Sequence, residues 1–206
     1  KKKELLEEYK KGVIQKIFSQ ELRFKDDNVN NYPDWQEKQL GDILDEYSIK
    51  NTELYPQYTI GKKGINLIKE SRYSVKAHKI FRLNDFIIGI GINEMNINID
   101  VENGCCSPIY KVFKIDSSIL LPIFANHYLS LSLNRRKRMF TKKSTRREYE
   151  INKKDLLKEV VDFPSIKEQQ KISNFLSSLD SKIDLVNTQI ENTKAFKKGL
   201  LQQMFV

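Results

Sequence analysis

Apolar residues recur at helical spacing near both ends of this chain and gather into short β-branched runs in its middle. Near the start, Leu6, Tyr9, Val13 and Ile17 fall at steps of three and four, which predicts a helix over residues 3–18. Polar, turn-forming residues from Lys25 to Pro33 end it. From Trp35 to Ser132 the pattern changes. Gln57 to Ile60, Ile65 to Ile68, Phe86 to Ile92, Ile97 to Val101 and Ile109 to Ile115 are punctuated by Gly61, Gly64, Asn93, Gly104 and Pro108, and they predict strands of a mixed, mostly β domain. Ile119 to Leu133 predicts a helix with Pro122 in its first turn. After Pro164, Ser165 and Glu168 have the spacing of a capping box, and Ile172, Leu176, Leu179, Ile183, Val186 and Ile190 follow in alternating steps of four and three. The same register weakens at Thr193 and Lys197, where Phe196 fills in, and recovers at Leu200 and Met204. About forty residues at 1.5 Å each make a rod of about 60 Å. A seam of 3.5-residue period calls for a partner helix, the alternative being packing against its own domain.

A ten-residue phrase stands at both ends. Tyr9 to Phe18 reads YKKGVIQKIF and Phe196 to Phe205 reads FKKGLLQQMF, with five identical positions at a constant offset of 187. That period suits a whole domain plus its connector. The expected organisation is therefore α+β: residues 1–24 as the end of a helix belonging to a preceding unit, 25–163 as the mostly β domain, and 164–206 as the long coiled-coil helix. A chain that opens on Lys1 without methionine fits a fragment of a tandem array.

With 206 residues, 39% of them apolar and 10% aromatic, the chain has the material for one substantial core. No apolar run approaches the roughly 18 residues a membrane helix needs, and no apolar stretch follows the opening lysines to make a signal peptide. The expectation is a cytoplasmic protein with no membrane partner. Cys105 and Cys106 are adjacent, lack a CxxC partner, and share the chain with only His78 and His127. They read as reduced, buried, small hydrophobes rather than metal ligands.

Charge sharpens the picture. Between Asn134 and Lys154 stand ten Lys and Arg against Glu148 and Glu150, a net +8 of the chain's formal +9, while the other 26 basic and 25 acidic residues nearly cancel. A patch of one sign marks a surface for a polyanion, the alternative being a solvated helix face. Arg135, Arg136, Lys137, Arg138, Lys142, Lys143, Arg146 and Arg147 are the candidate contacts for it, and the family resemblance given below implies that the polyanion is DNA. Catalytic patterns are missing from the sequence. It has no phosphate-binding GxxxxGK[ST] loop, Gly89-Ile90-Gly91 lacks a third glycine, and no Asn/Asp-Pro-Pro-aromatic tetrapeptide of an amino-methyltransferase occurs. Asp180-Ser181-Lys182 has nuclease-like residue types but sits in the long helix, where neighbouring side chains diverge.

Four motifs in order resemble those of the specificity subunit of type I restriction-modification systems. They are Pro33-Asp34-Trp35 through Leu40-Gly41-Asp42-Ile43; Gly104-Cys105-Cys106-Ser107-Pro108-Ile109-Tyr110-Lys111-Val112-Phe113; Pro164 through Glu168-Gln169-Gln170-Lys171-Ile172, with Phe175-Leu176 and Leu179-Asp180; and Lys197-Lys198-Gly199-Leu200-Leu201-Gln202 to Phe205. The resemblance implies the C-terminal half of such a subunit, carrying the second target-recognition domain and its helix. It implies a non-catalytic protein that reads one half of a bipartite site in double-stranded DNA and serves methyltransferase and restriction subunits. S-adenosylmethionine, ATP and Mg would then belong to those partners. Ile172, Leu176, Leu179, Ile183, Val186, Ile190, Leu200 and Met204 would form the helix and partner interface, with a homodimer of the fragment as one way to cover it. Arg146 and Arg147 lie nearest a basic position common in that family. Arg72, Asn93, Asn96 and Asn98 are candidates for base edges, because asparagine can bond adenine with both amide atoms, although asparagine is also the ordinary occupant of a turn. The alternative of another class is a coiled-coil adaptor with a non-specific basic patch; an autonomous nuclease is a third.

Overall fold

A computed structural model of the chain describes residues 1–61, 64–69, 74–89, 95–136, 140–142 and 150–204. It divides into two compact units, Lys1–Tyr32 with Gln170–Val206, and Pro33–Gln169. The chain opens with helix α1 (Lys2–Phe18), followed by strands β1 (Gln36–Gln39), β2 (Leu44–Tyr47), β3 (Tyr58–Gly61) and β4 (Gly64–Leu67). Strands β5 (Lys79–Arg82), β6 (Phe86–Ile88), β7 (Met95–Ile97), β8 (Asn103–Cys106) and β9 (Lys111–Ile115) come next. Helix α2 (Pro122–Arg136), strands β10 (Thr141–Lys142) and β11 (Glu150–Ile151), helix α3 (Lys153–Leu157), strand β12 (Val160–Phe163) and helix α4 (Ile166–Met204) complete it. The α+β class expected from the sequence is what forms.

The second unit is built on a four-stranded antiparallel sheet in the order β2-β9-β6-β7, with β3–β4, β5–β8, β1–β12 and β10–β11 as two-stranded pairs. Its core gathers Ile60, Phe81, Ile87, Cys106 and Val112, with Tyr47, Tyr58, Ile65, Val101 and Tyr110 packed against them. Burying each large side chain contributes roughly 1.5–3 kcal/mol. Both cysteines are buried, as the sequence suggested, and the Cys105 thiol donates to Tyr55 O at 3.3 Å. Burial pushes the Cys106 thiol up to about 12, so it is inert at neutral pH. The Gly104-to-Phe113 motif is two strands joined by a turn, in which Tyr110 N donates to Ser107 O at 3.0 Å. Its glycine is required by packing, because a Cβ at Gly104 would lie 2.5 Å from Phe81 Cζ and 2.8 Å from Tyr58 Cδ2. Gly104→Ala is therefore expected to destabilise this unit by about 1–3 kcal/mol, read as a lowered urea midpoint with an unchanged slope.

Entry and exit of this unit are joined. β1 pairs antiparallel with β12, Gln36 opposite Phe163 and Gln39 opposite Val160. Trp35 sets its ring edge against Phe124 and Tyr128 of α2, and Tyr128 O–H donates to Asp162 at 2.8 Å. Pro122 is the first residue of α2, the position where its missing N–H costs nothing; Ile119 and Leu120, expected to be helical, instead donate to Asp116 O from a turn. The start of α4 also departs from expectation. Ser165 Oγ finds no hydrogen-bond partner, so its half of the expected capping box does not form. Gln169 holds the junction instead: its buried amide donates to Ile119 O and Pro164 O, both at 2.9 Å, and accepts from Leu121 N at 2.8 Å.

In the other unit α1 and the segment after it run antiparallel to α4. Lys10 pairs with Asp180, Phe24 meets Phe175 edge-on at 5.6 Å, and Lys171 donates to Lys25 O at 2.9 Å. On α4 the buried apolar positions are Ile172, Leu176, Leu179, Ile183 and Val186, and on α1 Val13 and Ile17. Ile190 and Leu200, expected in the same seam, are exposed, as are Leu185, Phe196 and Leu201. The reason is length. With Lys10 beside Asp180, the first residue of a 17-residue antiparallel helix reaches about residue 188 of α4, which is where burial stops.

Candidate nucleic-acid interface

One end of the four-stranded sheet is closed by its own side chains. Asn84, in the left-handed region at φ 71°, donates its N–H to Asn98 O at 2.6 Å, and Asn98 N donates to Asp85 O at 2.8 Å. The Asn98 side chain is only 1% exposed; Nδ2 donates to Arg82 O at 2.8 Å and Val101 O at 2.6 Å, while Oδ1 accepts from Val101 N at 2.9 Å. Asn98 therefore has no amide edge left for a base, and its role is to turn the chain after β7. This corrects two expectations: Asn98 is a structural residue, and the predicted strand through Val101 ends at Ile97. Behind it, Asp85 accepts from Arg82 N at 2.6 Å and from the Tyr47 hydroxyl. Burial pushes up both the Asp85 carboxyl and the Tyr47 hydroxyl, which favours a phenol donating to the acid.

The opposite end of the sheet gathers connections. Ile88 pairs with Met95, bringing together the two ends of residues 89–94, which carry Asn93. Gly61 pairs with Gly64 around residues 62 and 63, and the half-buried Asn96 donates Nδ2 to Gly61 O at 3.1 Å. The β3–β4 hairpin and helix α2 both contact β7. Helix α2 buries Phe124, Ala125, Tyr128, Leu129 and Leu133 and ends in Arg135 and Arg136, the first residues of the basic run. β10 and β11 then pair, Thr141 with Ile151 and Lys142 with Glu150, and bring together the ends of the segment holding Lys143, Arg146 and Arg147.

The structure thus treats the candidates unequally. Arg72, Asn93, Lys137, Arg138, Lys143, Arg146 and Arg147 lie outside the described residues. Arg135 and Arg136 close α2 and Lys142 lies on β10. Lys153, at the end of the basic run, is occupied otherwise: it pairs with Glu46, whose other oxygen lies 3.4 Å from Lys111. Partial burial pushes the Glu46 carboxyl up, but these two lysines hold it below its ordinary value. What the sequence did not reveal was the Asn96–Gly61 contact, since nothing local connects residues 35 apart. Among the described residues no group of three His, Cys, Asp or Glu stands where it could hold a metal ion, and no helix is long and apolar enough to cross a membrane.

Comparison with known proteins bears on the family and the fold. Residues 32–194 match the family model described as the type I restriction modification DNA specificity domain. Among solved structures, the type I restriction-modification S subunit from M. genitalium superposes with a TM-score of 0.60 at 16% identity, over 99% of this chain and 55% of that one. The HsdS subunit from Thermoanaerobacter tengcongensis gives 0.56 at 18% identity over 97% and 51%. A chain from a structure titled for complex assembly and conformational transition of the type I restriction-modification system gives 0.54 at 18% over 97% and 52%. The chain spans about half the length of each. No protein with a curated description matches it. The structures, below 25% identity, speak for the fold alone; the family model, which spans well over half the sequence, shows that this chain belongs to the type I restriction-modification DNA specificity family.

Proposed function

We propose that this chain is the half of a specificity subunit that reads one half of a bipartite DNA site through Pro33–Gln169, and that serves methyltransferase and restriction subunits through its helices without catalysing a reaction itself. The observation that carries the reading is the placement of charge: nearly all of the net +9 lies in the run that begins with the last two residues of α2, a helix that packs on β7, the strand where two hairpin connections begin or are tied down. Lys and Arg there neutralise phosphates and set the register of the domain on the duplex, while polar side chains on the connections contact base edges. Asn93 and Arg72 remain candidates for that second task. S-adenosylmethionine, ATP and Mg are assigned to the partner subunits.

The helices supply the other half of the reading. The exposed apolar residues of α4 beyond Val186 form a face suited to a further helix, either the continuation of α1 that the repeat implies or, for the isolated fragment, a second copy. The structure titled for complex assembly supports a docking role for this architecture.

DNA titration tests the reading. If about six charges meet phosphates, affinity falls on the order of a thousandfold between 50 and 200 mM salt. Replacing Arg135, Arg136 and Arg138 by alanine should flatten the slope of log affinity against log salt by about one per lost contact. An unchanged slope would leave the basic run as a solvated face and favour the adaptor reading.

A further inference from the structure

Where the chain leaves β2 of the four-stranded sheet and runs on to touch β5, it helps to enclose a cleft of about 540 Å³. Asp45 and Lys114 are partners in the β2–β9 register, so their side chains share one face of the sheet, and Tyr47 follows two residues on along that face. Ile49 lies beyond it, where Ile80 N donates to Ile49 O at 2.8 Å. Arg82 ends β5, and Leu83 follows in the turn. The floor of the cleft is already satisfied: Asp85 is 4% exposed and accepts from the Tyr47 hydroxyl and from Arg82 N. Its walls are not. Ile49 and Leu83 are 41% and 45% exposed, and among the described residues neither Arg82 nor Lys114 forms an ion pair.

We infer that this cleft is a binding site for a small amphipathic organic anion, its apolar body held between Ile49 and Leu83 against Tyr47, and its negative charge between Arg82 and Lys114. Sites for small ligands are concave, mostly apolar and roughly 300–1,000 Å³ in volume, with a few polar groups that orient the ligand. The cleft meets each condition. The sign of the ligand follows from the charges within its reach: two exposed cations stand against the exposed Asp45, while Asp85 lies beneath them with its hydrogen bonds made. Both cations act on the Asp85 carboxyl, which places them over the floor. Burial nonetheless pushes that carboxyl up, the mark of a poorly hydrated floor, beside which a charge pair is worth more than in open water. None of these residues belongs to the basic run, so the inference stands apart from DNA binding.

The test is a fluorescence titration of the whole chain with two dyes, anilinonaphthalene sulfonate and N-phenylnaphthylamine, which has the same apolar body without the sulfonate. The wild type should bind the sulfonate about tenfold more tightly than the uncharged dye. Arg82→Met with Lys114→Met should erase that preference and leave binding of the uncharged dye as it was. Leu83→Ser should weaken both dyes by about fivefold or more. All three side chains are exposed, and the Arg82 backbone groups that bond Asp85 and Asn98 survive its substitution, so each variant should melt as the wild type does. Phe196→Asp with Leu200→Asp, on α4, should leave the preference intact. Equal binding of the two dyes by the wild type, or a preference that persists without Arg82 and Lys114, would overturn the inference. So would loss of binding in the α4 variant, which would put the dye on that helix. Failure of the protein to bind DNA would leave these results standing.

Discussion

Aspartate at both Leu179 and Ile183 will unfold the helical unit, whereas aspartate at both Phe196 and Leu200 will leave it folded and prevent the fragment from self-associating. The four residues share one helix and differ in what covers them. Leu179 is 5% exposed and Ile183 9%, while Phe196 is 69% exposed and Leu200 45%. Each of the first two loses roughly 1.5–3 kcal/mol of burial when truncated, and a desolvated, unpaired carboxylate adds several more. A total on the order of 6 kcal/mol or more rivals the whole stability of a small domain. Phe196 and Leu200 are exposed, so little burial is lost and the change is felt mainly by a partner helix that would otherwise bury them. Circular dichroism melting separates the first effect, and light scattering at tens of micromolar the second. A dimer that survives Phe196→Asp with Leu200→Asp would place self-association on some other surface, and a fully folded Leu179→Asp with Ile183→Asp variant would contradict the buried seam.

Replacing Arg146 and Arg147 by alanine is expected to abolish methylation by the reconstituted complex while leaving its assembly intact. Both residues lie between β10 and β11, within the unit that holds the connections, and neither belongs to α1 or α4. If recognition and docking are separate tasks of separate units, removing two phosphate contacts weakens DNA binding, on the order of tenfold or more at moderate salt and further at low salt, where those contacts count most, and the assembled enzyme no longer retains its substrate. Size-exclusion chromatography reports assembly, and methyl transfer to a cognate duplex reports function. Loss of assembly with DNA binding preserved would reverse the proposed division of labour, and methylation or cleavage by this chain alone would make it an enzyme.

How far the sequence foretold the structure depended on whether a signal was local. Helix α4 was legible because its seam repeats over five turns, and α1 because Val13 and Ile17 stand at helical spacing. The basic run was legible because charge can be counted. Strand β1 was not: Gln36–Gln39 reads QEKQ, with no apolar residue and no alternation, and it is a strand only because Val160–Phe163 lies alongside it. Strands β5 and β8 went unseen because Ile80, Phe81, Cys105 and Cys106 are adjacent buried pairs, which erases the period of two that marks a half-buried strand.

The pairing of β1 with β12 closes a loop of roughly 120 residues between Gln39 and Val160. The entropy of closing a loop grows only with the logarithm of its length, so doubling that length would cost about 0.6 kcal/mol. The frame formed by Trp35, β1, β12 and Gln169 can therefore tolerate large changes in the chain it encloses. Insertions, deletions or wholesale replacement among the connections tax this closure by less than one buried methylene does. Such a clasp leaves the interior free to diversify in length and sequence while the chain continues to enter and leave at one place.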